Sequence, residues 1–292
     1  MLTDTPDSPE QRRLRPTLAF LAGFVGLGLG YFYVGRPRSA LVSIAILCVV
    51  LATLSASRLV VVPFGYYAFI ASFVAWILAI TIHPALIARA RRRAPRRWYN
   101  RWWVYVPIAL APGIAVSLAG GIGVARSAAF GFDTFRTPTA SMSPTLEADD
   151  YFVVDAWIYR HVAPAVGDVV VLTFPQNPAV RYVKRIVALP GDELEIRDAV
   201  VYRNGTPLHE CYVHAPADRH PYGRDLPPLR LGPDEYYVLG DFRDNSRDSR
   251  EYGPVARAAI LGPVKFVWLS FSPHDGWNGQ CPRGIGEVRG RG

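Results

Sequence analysis

The segment TPTASMSPTL, from Thr137 to Leu146, separates two parts of the 292-residue sequence that differ in character. Long apolar runs with arginine-rich connections precede it, and short runs of β-branched and aromatic residues follow it. Within the segment, Ser141 lies among small residues, and prolines restrict the backbone on both sides. A serine in such a loop is commonly a turn residue, and it can also be a nucleophile. The rest of the sequence has to distinguish these two interpretations.

The charges upstream of this segment are distributed unevenly. Residues 1–130 contain 14 arginines, and no acidic residue occurs between Glu10 and Asp133. The net charge of +8 therefore arises in the apolar part of the chain. Arginines that alternate with apolar runs orient membrane helices, so this basicity does not predict a nucleic-acid partner.

Three apolar stretches are long enough, at about 20 residues, to cross a bilayer as helices. They are residues 40–62, 64–88 and 102–124; a shorter, glycine-rich stretch, 17–34, leaves three or four transmembrane helices open. Residues 1–130 are thus predicted to form a membrane anchor. The segment from Arg89 to Arg101 contains seven arginines, which predicts a cytoplasmic loop. The next span then places residues 131–292 on the extracytoplasmic face of the cytoplasmic membrane, in a multi-pass protein.

The pattern of residues 131–292 is typical of an all-β domain. Asn204-Gly205 is a strong signal for a tight turn, and the proline-rich residues 216–233 are expected to form a surface loop. The predicted strands cover residues 151–156, 168–174, 181–189, 193–197, 200–203, 235–239 and 264–269.

Lysine is rare in this chain, which contains only Lys184 and Lys265 beside 30 arginines. In RYVKRIVALPGD, from Arg181 to Asp192, strand alternation puts Lys184 on the same face as Tyr182 and Ile186. Desolvation on an apolar face lowers the pKa of an amine, which can then accept a proton. The alternative is that each lysine is merely a leftover surface residue.

A third segment, LGDFRDNSRDSREYG, runs from Leu239 to Gly253. Its Asp, Asn and Ser residues are consistent with an ordinary polar turn, in which Asp248 and Arg250 are close enough to pair. Outside the cytoplasm, Cys211 and Cys281 could form one disulfide, although their spacing alone leaves this open.

Together, the three segments resemble the serine, lysine and third conserved boxes of type I signal peptidases, in the order of that family. The resemblance covers residues 135–268 and the preceding anchor. It implies a mainly-β catalytic domain behind an α-helical membrane anchor, with no cofactor and no metal.

The resemblance also assigns roles to individual residues. It implies that Ser141 is the nucleophile, that Lys184 is the general base, and that Thr139 and the Ser141 N–H form the oxyanion hole. Supporting roles fall to Ser246, which orients the amine, to the ion pair Asp248–Arg250, and to Met142, which follows the nucleophile. The sequence departs from common family residues at four positions that carry no catalytic group, namely Phe242, Ala188, Ala140 and Ser143.

The implied function is a membrane-bound endopeptidase that cleaves signal peptides from exported preproteins after small-x-small sites. Its expected partners are preprotein signal peptides, the lipid bilayer and the export machinery, without nucleic acid. The alternative is a membrane-anchored sensor or adaptor with an inactive protease-like domain, which would be expected to have lost Ser141 or Lys184. A Ser-His-Asp hydrolase is disfavoured because no histidine lies in a recognisable nucleophile motif.

Overall fold

The computed structural model describes residues 11–25, 28–95, 97–118, 122–213 and 224–271. These residues form two compact units, and the main boundary between the units falls at Ala125–Arg126. The boundary expected from the sequence lies five residues later, after residue 130. The first unit consists mainly of apolar helices and the second mainly of antiparallel sheets, so the predicted fold class is confirmed.

The described residues of the N-terminal part form six α-helices and one short two-stranded sheet. The helices are α1 (Pro16–Val25), α2 (Leu29–Tyr33), α3 (Pro37–Ala56), α4 (Pro63–Arg91), α5 (Trp102–Leu118) and α6 (Ile122–Phe130), and the strands are β1 (Gln11–Arg13) and β2 (Arg93–Pro95).

Two of the described helices, α3 and α4, are long and apolar enough to cross a membrane. Their large outward-facing apolar side chains, such as Val49 and Leu78, fit that placement. The stretch 17–34 is not one continuous helix, because α1 and α2 are separate and Gly28 adopts a left-handed conformation with φ 84°. The stretch 102–124 contains α5, which is 17 residues long.

The second unit contains eleven described strands and one short helix. The strands are β3 (Phe132–Arg136), β4 (Tyr151–Asp155), β5 (Val169–Phe174), β6 (Asn177–Ala188), β7 (Glu193–Arg197), β8 (Val200–Arg203), β9 (Thr206–Pro207), β10 (Leu226–Arg230), β11 (Glu235–Leu239), β12 (Val255–Ala256) and β13 (Ile260–Leu269), and the helix is α7 (Ser249–Tyr252).

These strands form two antiparallel sheets. The larger sheet has the order β12-β11-β6-β5-β13-β4-β3, and the smaller has the order β10-β7-β8-β9. The turn between β8 and β9 is the predicted one, with positive φ at both Asn204 and Gly205, as a type I′ hairpin requires. Strand β6 lies between β11 and β5 in the larger sheet, and its last five residues are all buried.

The prediction of a loop over residues 216–233 is wrong for Leu226–Arg230. That segment is β10, which pairs with β7 at the edge of the smaller sheet. Its two prolines are tolerated because an edge strand needs hydrogen bonds on one side only, and the register shifts between Leu226 and Leu229. Residues 214–223 lie outside the described part of the chain. Sequence reasoning also missed β3, which pairs with β4 immediately before the Ser141 segment.

Candidate active site

The loop that carries Ser141 is held in place by its apolar neighbours. Met142 and Leu146 are 1% and 0% exposed and belong to a core cluster with Phe152 and Val169. Ser141 itself is only partly buried and lines a cavity of about 540 Å³. The alternation of apolar and hydroxyl side chains in this loop therefore anchors its backbone while presenting the serine to the cavity.

Lys184 reaches the same cavity from β6. Its Nζ lies 3.0 Å from the Ser141 Oγ and donates a hydrogen bond to the Val183 carbonyl at 2.9 Å. The residue is 3% exposed, and its Nζ lies 5.4 Å from the centre of the Tyr182 ring. The lysine is thus buried next to Tyr182, the neighbour that strand alternation places on the same face.

Burial lowers the pKa of Lys184 from its ordinary value to about 8. The negative charges of Asp248 and Asp241 act in the opposite direction, whereas the positive charge of Arg250 lowers the pKa further. Desolvation is the largest of these effects, because a charged ammonium loses most of its hydration in this position. A useful fraction of the amine is therefore neutral near physiological pH, and it can accept a proton from Ser141.

Two donors lie where an oxyanion could form. The Thr139 hydroxyl is 3.4 Å from the Ser141 Oγ, at the open rim of the cavity. Among the described residues, no group accepts a hydrogen bond from the Ser141 backbone N–H, which leaves this N–H available. A hydroxyl and a backbone N–H beside a serine hydroxyl are the kind of donor pair that can stabilise a tetrahedral oxyanion.

The third motif contacts the backbone of Ser141. The Phe242 N–H donates to the Ser141 carbonyl at 3.2 Å, and Ser246 lines the cavity with Ser141 and Lys184. A Cβ on Gly240 would lie 2.0 Å from the Ser246 Oγ and 2.6 Å from the Ser141 carbonyl oxygen. Gly240 therefore allows the Ser141 loop and the Ser246 loop to approach each other.

Asp248 and Arg250 form a buried ion pair beneath this loop. The Arg250 Nε and Nη2 each donate to the Asp248 carboxylate at 2.8 Å, and the Gly240 N–H donates to it at 3.0 Å. Burial by itself raises the pKa of the Asp248 carboxyl, but the hydrogen bonds and charge of Arg250 hold that pKa below its ordinary value. Arg250 also donates to the Arg243 carbonyl at 2.7 Å, so the pair fixes the loop that carries Ser246.

A second buried cluster, which the sequence analysis missed, joins all three motifs. Arg185 donates to Asp241 at 2.9 and 2.6 Å and to the Thr145 hydroxyl at 3.1 Å, and Thr145 in turn donates to Asp241. All three residues are at most 1% exposed. Thr145 belongs to the serine segment, Arg185 to the lysine segment and Asp241 to the third segment, so this cluster ties their positions together.

Two residues outside the three motifs, Glu210 and Tyr212, contact buried arginines of the motifs. The Tyr212 ring lies 3.9 Å from the Arg185 guanidinium, and Glu210 forms an ion pair with Arg243 that includes a 2.8 Å bond. Arg243 donates to the Gly240 carbonyl at 3.1 Å, which connects Glu210 to the loop next to Ser246. No spacing in the sequence indicates these contacts. The one local indication is Cys211, which lies between Glu210 and Tyr212 and could hold this segment in place through a disulfide.

The remaining predicted positions lie as follows. Cys211 is disulfide-bonded and Cys48 is free, while Cys281 lies outside the described residues, so its pairing with Cys211 stays a prediction.

The Ser143 hydroxyl donates to Glu147 at 2.8 Å. Lys265, on β13, is absent from the lining of the cavity, as far as the described residues extend. At the departures, Ala188 is fully buried in β6, whereas Ala140 and Phe242 are half-buried.

Comparison with known proteins shows similarity over the same region. Residues 108–269 match a family described as signal peptidase, peptidase S26. The chain is 35% identical to the probable signal peptidase I-1 of Synechocystis sp. over 147 residues, which are 48% of this chain and 71% of that protein. It is also 35% identical to the signal peptidase I of Leptolyngbya laminosa over 153 residues, covering 48% and 73%. A crystal structure of a signal peptidase I from Enterococcus faecalis is 31% identical and covers 35% of this chain and 97% of its own, with a TM-score of 0.31.

Proposed function

Because the chain belongs to the signal peptidase family, peptidase S26, we propose that it is a membrane-bound endopeptidase that removes signal peptides through a Ser141–Lys184 dyad. The observation that carries this proposal is the 3.0 Å distance between the Lys184 Nζ and the Ser141 Oγ. It joins a weak nucleophile to a buried amine whose pKa is lowered to about 8. A protease-like domain without activity would not need to keep this pair.

In the first half of the reaction, the neutral Lys184 amine takes the proton of the Ser141 hydroxyl. The Ser141 Oγ bonds to the scissile carbonyl carbon, and the electron pair of the carbonyl moves onto its oxygen. The Ser141 N–H and the Thr139 hydroxyl donate to this oxyanion. When the intermediate collapses, the C–N bond breaks, and the leaving amine of the mature protein takes the proton from the Lys184 ammonium.

The second half returns the enzyme to its starting state. The signal peptide is now an ester of Ser141, and Lys184 is neutral again. Lys184 takes a proton from a water molecule while the water oxygen attacks the ester carbonyl. Collapse of this second intermediate breaks the C–O bond, and Ser141 regains its proton from Lys184. The cycle uses only groups that the chain and water supply.

An open strand edge supports binding of an extended substrate. Residues 181–183 of β6 pair with β5, whereas the described pairing of β6 with β11 begins only at Arg185. Val180, Tyr182 and Val183 line the cavity, as does Phe135 of the edge strand β3. A peptide could add as a strand beside β6 and bring its carbonyl to Ser141.

The apolar helices support attachment to a lipid bilayer. The arginine-rich connection after α4 supports a cytoplasmic position for that loop and an extracytoplasmic position for the catalytic unit. A site held close to the membrane would meet signal peptides as they leave the export machinery.

The test uses the purified full chain in detergent and a preprotein with an Ala-x-Ala site. We expect a single cut after the second alanine, identified by mass spectrometry of the mature N-terminus. A matched preprotein with a bulky residue in place of the alanine next to the cut should be processed poorly. The absence of any cut in the first substrate would favour the sensor or adaptor function instead, and equal processing of both substrates would contradict the proposed specificity.

A further inference from the structure

A second cavity, of about 570 Å³, lies in the helical unit and contains several arginines. Three basic side chains and three polar or aromatic ones line it, and we call it the arginine pocket. These residues are Arg36, Arg38 and Arg97, with Ser39, Trp98 and Tyr99. None of them belongs to the catalytic unit.

Two segments that lie about sixty residues apart in the sequence build this pocket. The Asn100 side chain donates to the Phe32 carbonyl at 2.6 Å, and the Tyr99 ring packs edge-on against Phe32 with their centres 6.1 Å apart. The Arg36 N–H donates to the Tyr31 carbonyl at 2.8 Å. These contacts hold the segment of Arg97 against the start of α3, so the arginines converge as a consequence of the fold.

Among the described residues, no carboxylate pairs with the arginines of the pocket. No acidic residue occurs in the sequence from position 11 to position 132. Within the described part of the chain, none of the three guanidinium groups takes part in an ion pair. Like charges in one cavity repel each other, and a bound anion would remove that repulsion. The planar guanidinium donates pairs of hydrogen bonds that match the oxygen atoms of a phosphate.

The pocket lies where water and bilayer would meet. Arg36 immediately precedes α3, and Arg97 lies shortly before α5. Trp98 is 68% exposed beside them, as aromatic residues at membrane interfaces commonly are. From the pocket, the exposed side chains of Leu41 and Val42 continue along the first turns of α3. A ligand with a phosphate at the pocket and acyl chains along this helix would use both features.

We propose that the arginine pocket binds the phosphate of an anionic phospholipid headgroup. The arginines recognise the phosphate, and the adjoining apolar surface of α3 distinguishes a lipid from a soluble phosphate. This site is separate from the peptidase site, and it would seat the helical unit at a fixed depth in one leaflet.

The experiment measures lipid retention by native mass spectrometry on the full chain in detergent. Phosphatidylglycerol, phosphatidylcholine with the same acyl chains, and inorganic phosphate are added separately and in competition. Both lipids carry a phosphate, but the choline ammonium of phosphatidylcholine adds a positive charge that three arginines repel. We therefore expect the wild type to retain phosphatidylglycerol about tenfold better than phosphatidylcholine. The combined variant Arg36→Gln, Arg38→Gln and Arg97→Gln should lose this preference.

A matched variant controls for general basicity. Arg89→Gln, Arg91→Gln and Arg101→Gln together remove the same charge from nearby positions that do not line the pocket. This control should retain phosphatidylglycerol as the wild type does. The proposal is overturned if the control loses retention equally, if wild type retains both lipids equally, or if inorganic phosphate displaces phosphatidylglycerol at equal concentration.

Preprotein cleavage, measured in the same samples, separates this proposal from the peptidase proposal. Both arginine variants should cleave at the wild-type rate in detergent, because neither touches the dyad. If the pocket variant loses retention of phosphatidylglycerol and still cleaves normally, the lipid site is supported. If the pocket variant retains phosphatidylglycerol as the wild type does, the lipid site is contradicted, whether or not the protein cleaves.

Discussion

The Nζ of Lys184 lies 3.0 Å from the Oγ of Ser141, although 43 positions separate the two residues in the sequence. Lys184 is buried on a central strand, and Ser141 lies on a loop anchored by Met142. Direct proton transfer across this distance requires the neutral amine. The catalytic proposal therefore depends on how strongly burial depresses the lysine pKa, and this dependence can be measured.

The rate of cleavage should follow the titration of Lys184. Its pKa is lowered to about 8, and only the deprotonated form can act as a base. We expect kcat/KM to rise by about tenfold per pH unit below pH 8 and to level off above it. The measurement is a pH series from 6 to 9.5 with a preprotein in detergent. A rate that is constant across this range, or that falls as pH increases, would show that the reaction does not use this amine.

Replacing Ser143 should leave the enzyme active. The Ser143 hydroxyl donates to Glu147 at 2.8 Å, whereas Ser141 is the hydroxyl adjacent to Lys184. We expect Ser143→Ala to cleave a preprotein within about threefold of the wild-type rate, since it removes a side chain bond outside the reaction. Ser141→Ala is the matched variant and should be inactive. The opposite pattern would mean that the nucleophile has been assigned two residues too early.

Gly240 should be intolerant of any side chain. A Cβ there would meet the Ser246 Oγ at 2.0 Å and the Ser141 carbonyl at 2.6 Å, in a buried position. We expect Gly240→Ala to lower stability by about 1–3 kcal/mol through overpacking and to lower the cleavage rate by about a hundredfold, because the nucleophile moves.

Gly232→Ala is the control for this substitution. Its Cβ would meet only the end of the flexible Glu235 side chain, at 3.2 Å. Cleavage close to the wild-type rate is therefore expected. If Gly240→Ala cleaves as fast as Gly232→Ala, the close approach of the two loops has no part in catalysis.

Glu210 should stabilise the fold because its carboxylate neutralises the buried guanidinium of Arg243. Arg243 is 4% exposed, and Glu210→Ala would leave its guanidinium buried without its carboxylate partner. We expect a loss of about 3–5 kcal/mol in the free energy of unfolding. Urea titration of the full chain in detergent, followed by circular dichroism, measures this change.

An exposed ion pair provides the comparison for Glu210. Glu195 lies 3.2 Å from Arg197 on the surface of β7, and Glu195→Ala should change stability by less than about 1 kcal/mol. Equal effects of the two substitutions would mean that the buried pair adds nothing beyond a surface contact.

Local sequence patterns were sufficient for much of the β unit. Predicted strands 193–197, 200–203 and 235–239 match β7, β8 and β11, because alternation and turn residues act over a few neighbouring positions. The Asn204-Gly205 turn was likewise predictable from neighbouring residues alone. In contrast, α1 and α2 separate at Gly28, whose left-handed conformation is not signalled by an apolar composition.

Contacts between distant segments could not be predicted in the same way. Glu210 and Arg243 are 33 positions apart, and Thr145 and Asp241 are 96 apart, so only the folded sheets bring them together. The prolines of β10 suggested a loop because their tolerance depends on an edge position, which is a property of the whole sheet. The proposed dyad and the ion pair Asp248–Arg250 lie in motifs that can be read in the sequence. The contacts of Arg185 with Asp241 and of Glu210 with Arg243 depend on the fold and have no such local pattern.

The dyad can be tested most directly through the lysines, since the chain has only two. Single-turnover cleavage of a preprotein should be compared for the wild type, Lys184→Ala and Lys265→Ala, with thermal unfolding measured to establish that each variant is folded. We predict that Lys184→Ala loses at least about a thousandfold in rate and that Lys265→Ala, which does not line the cavity, cleaves normally. A folded Lys184→Ala protein that still cleaves at the wild-type rate would contradict the account.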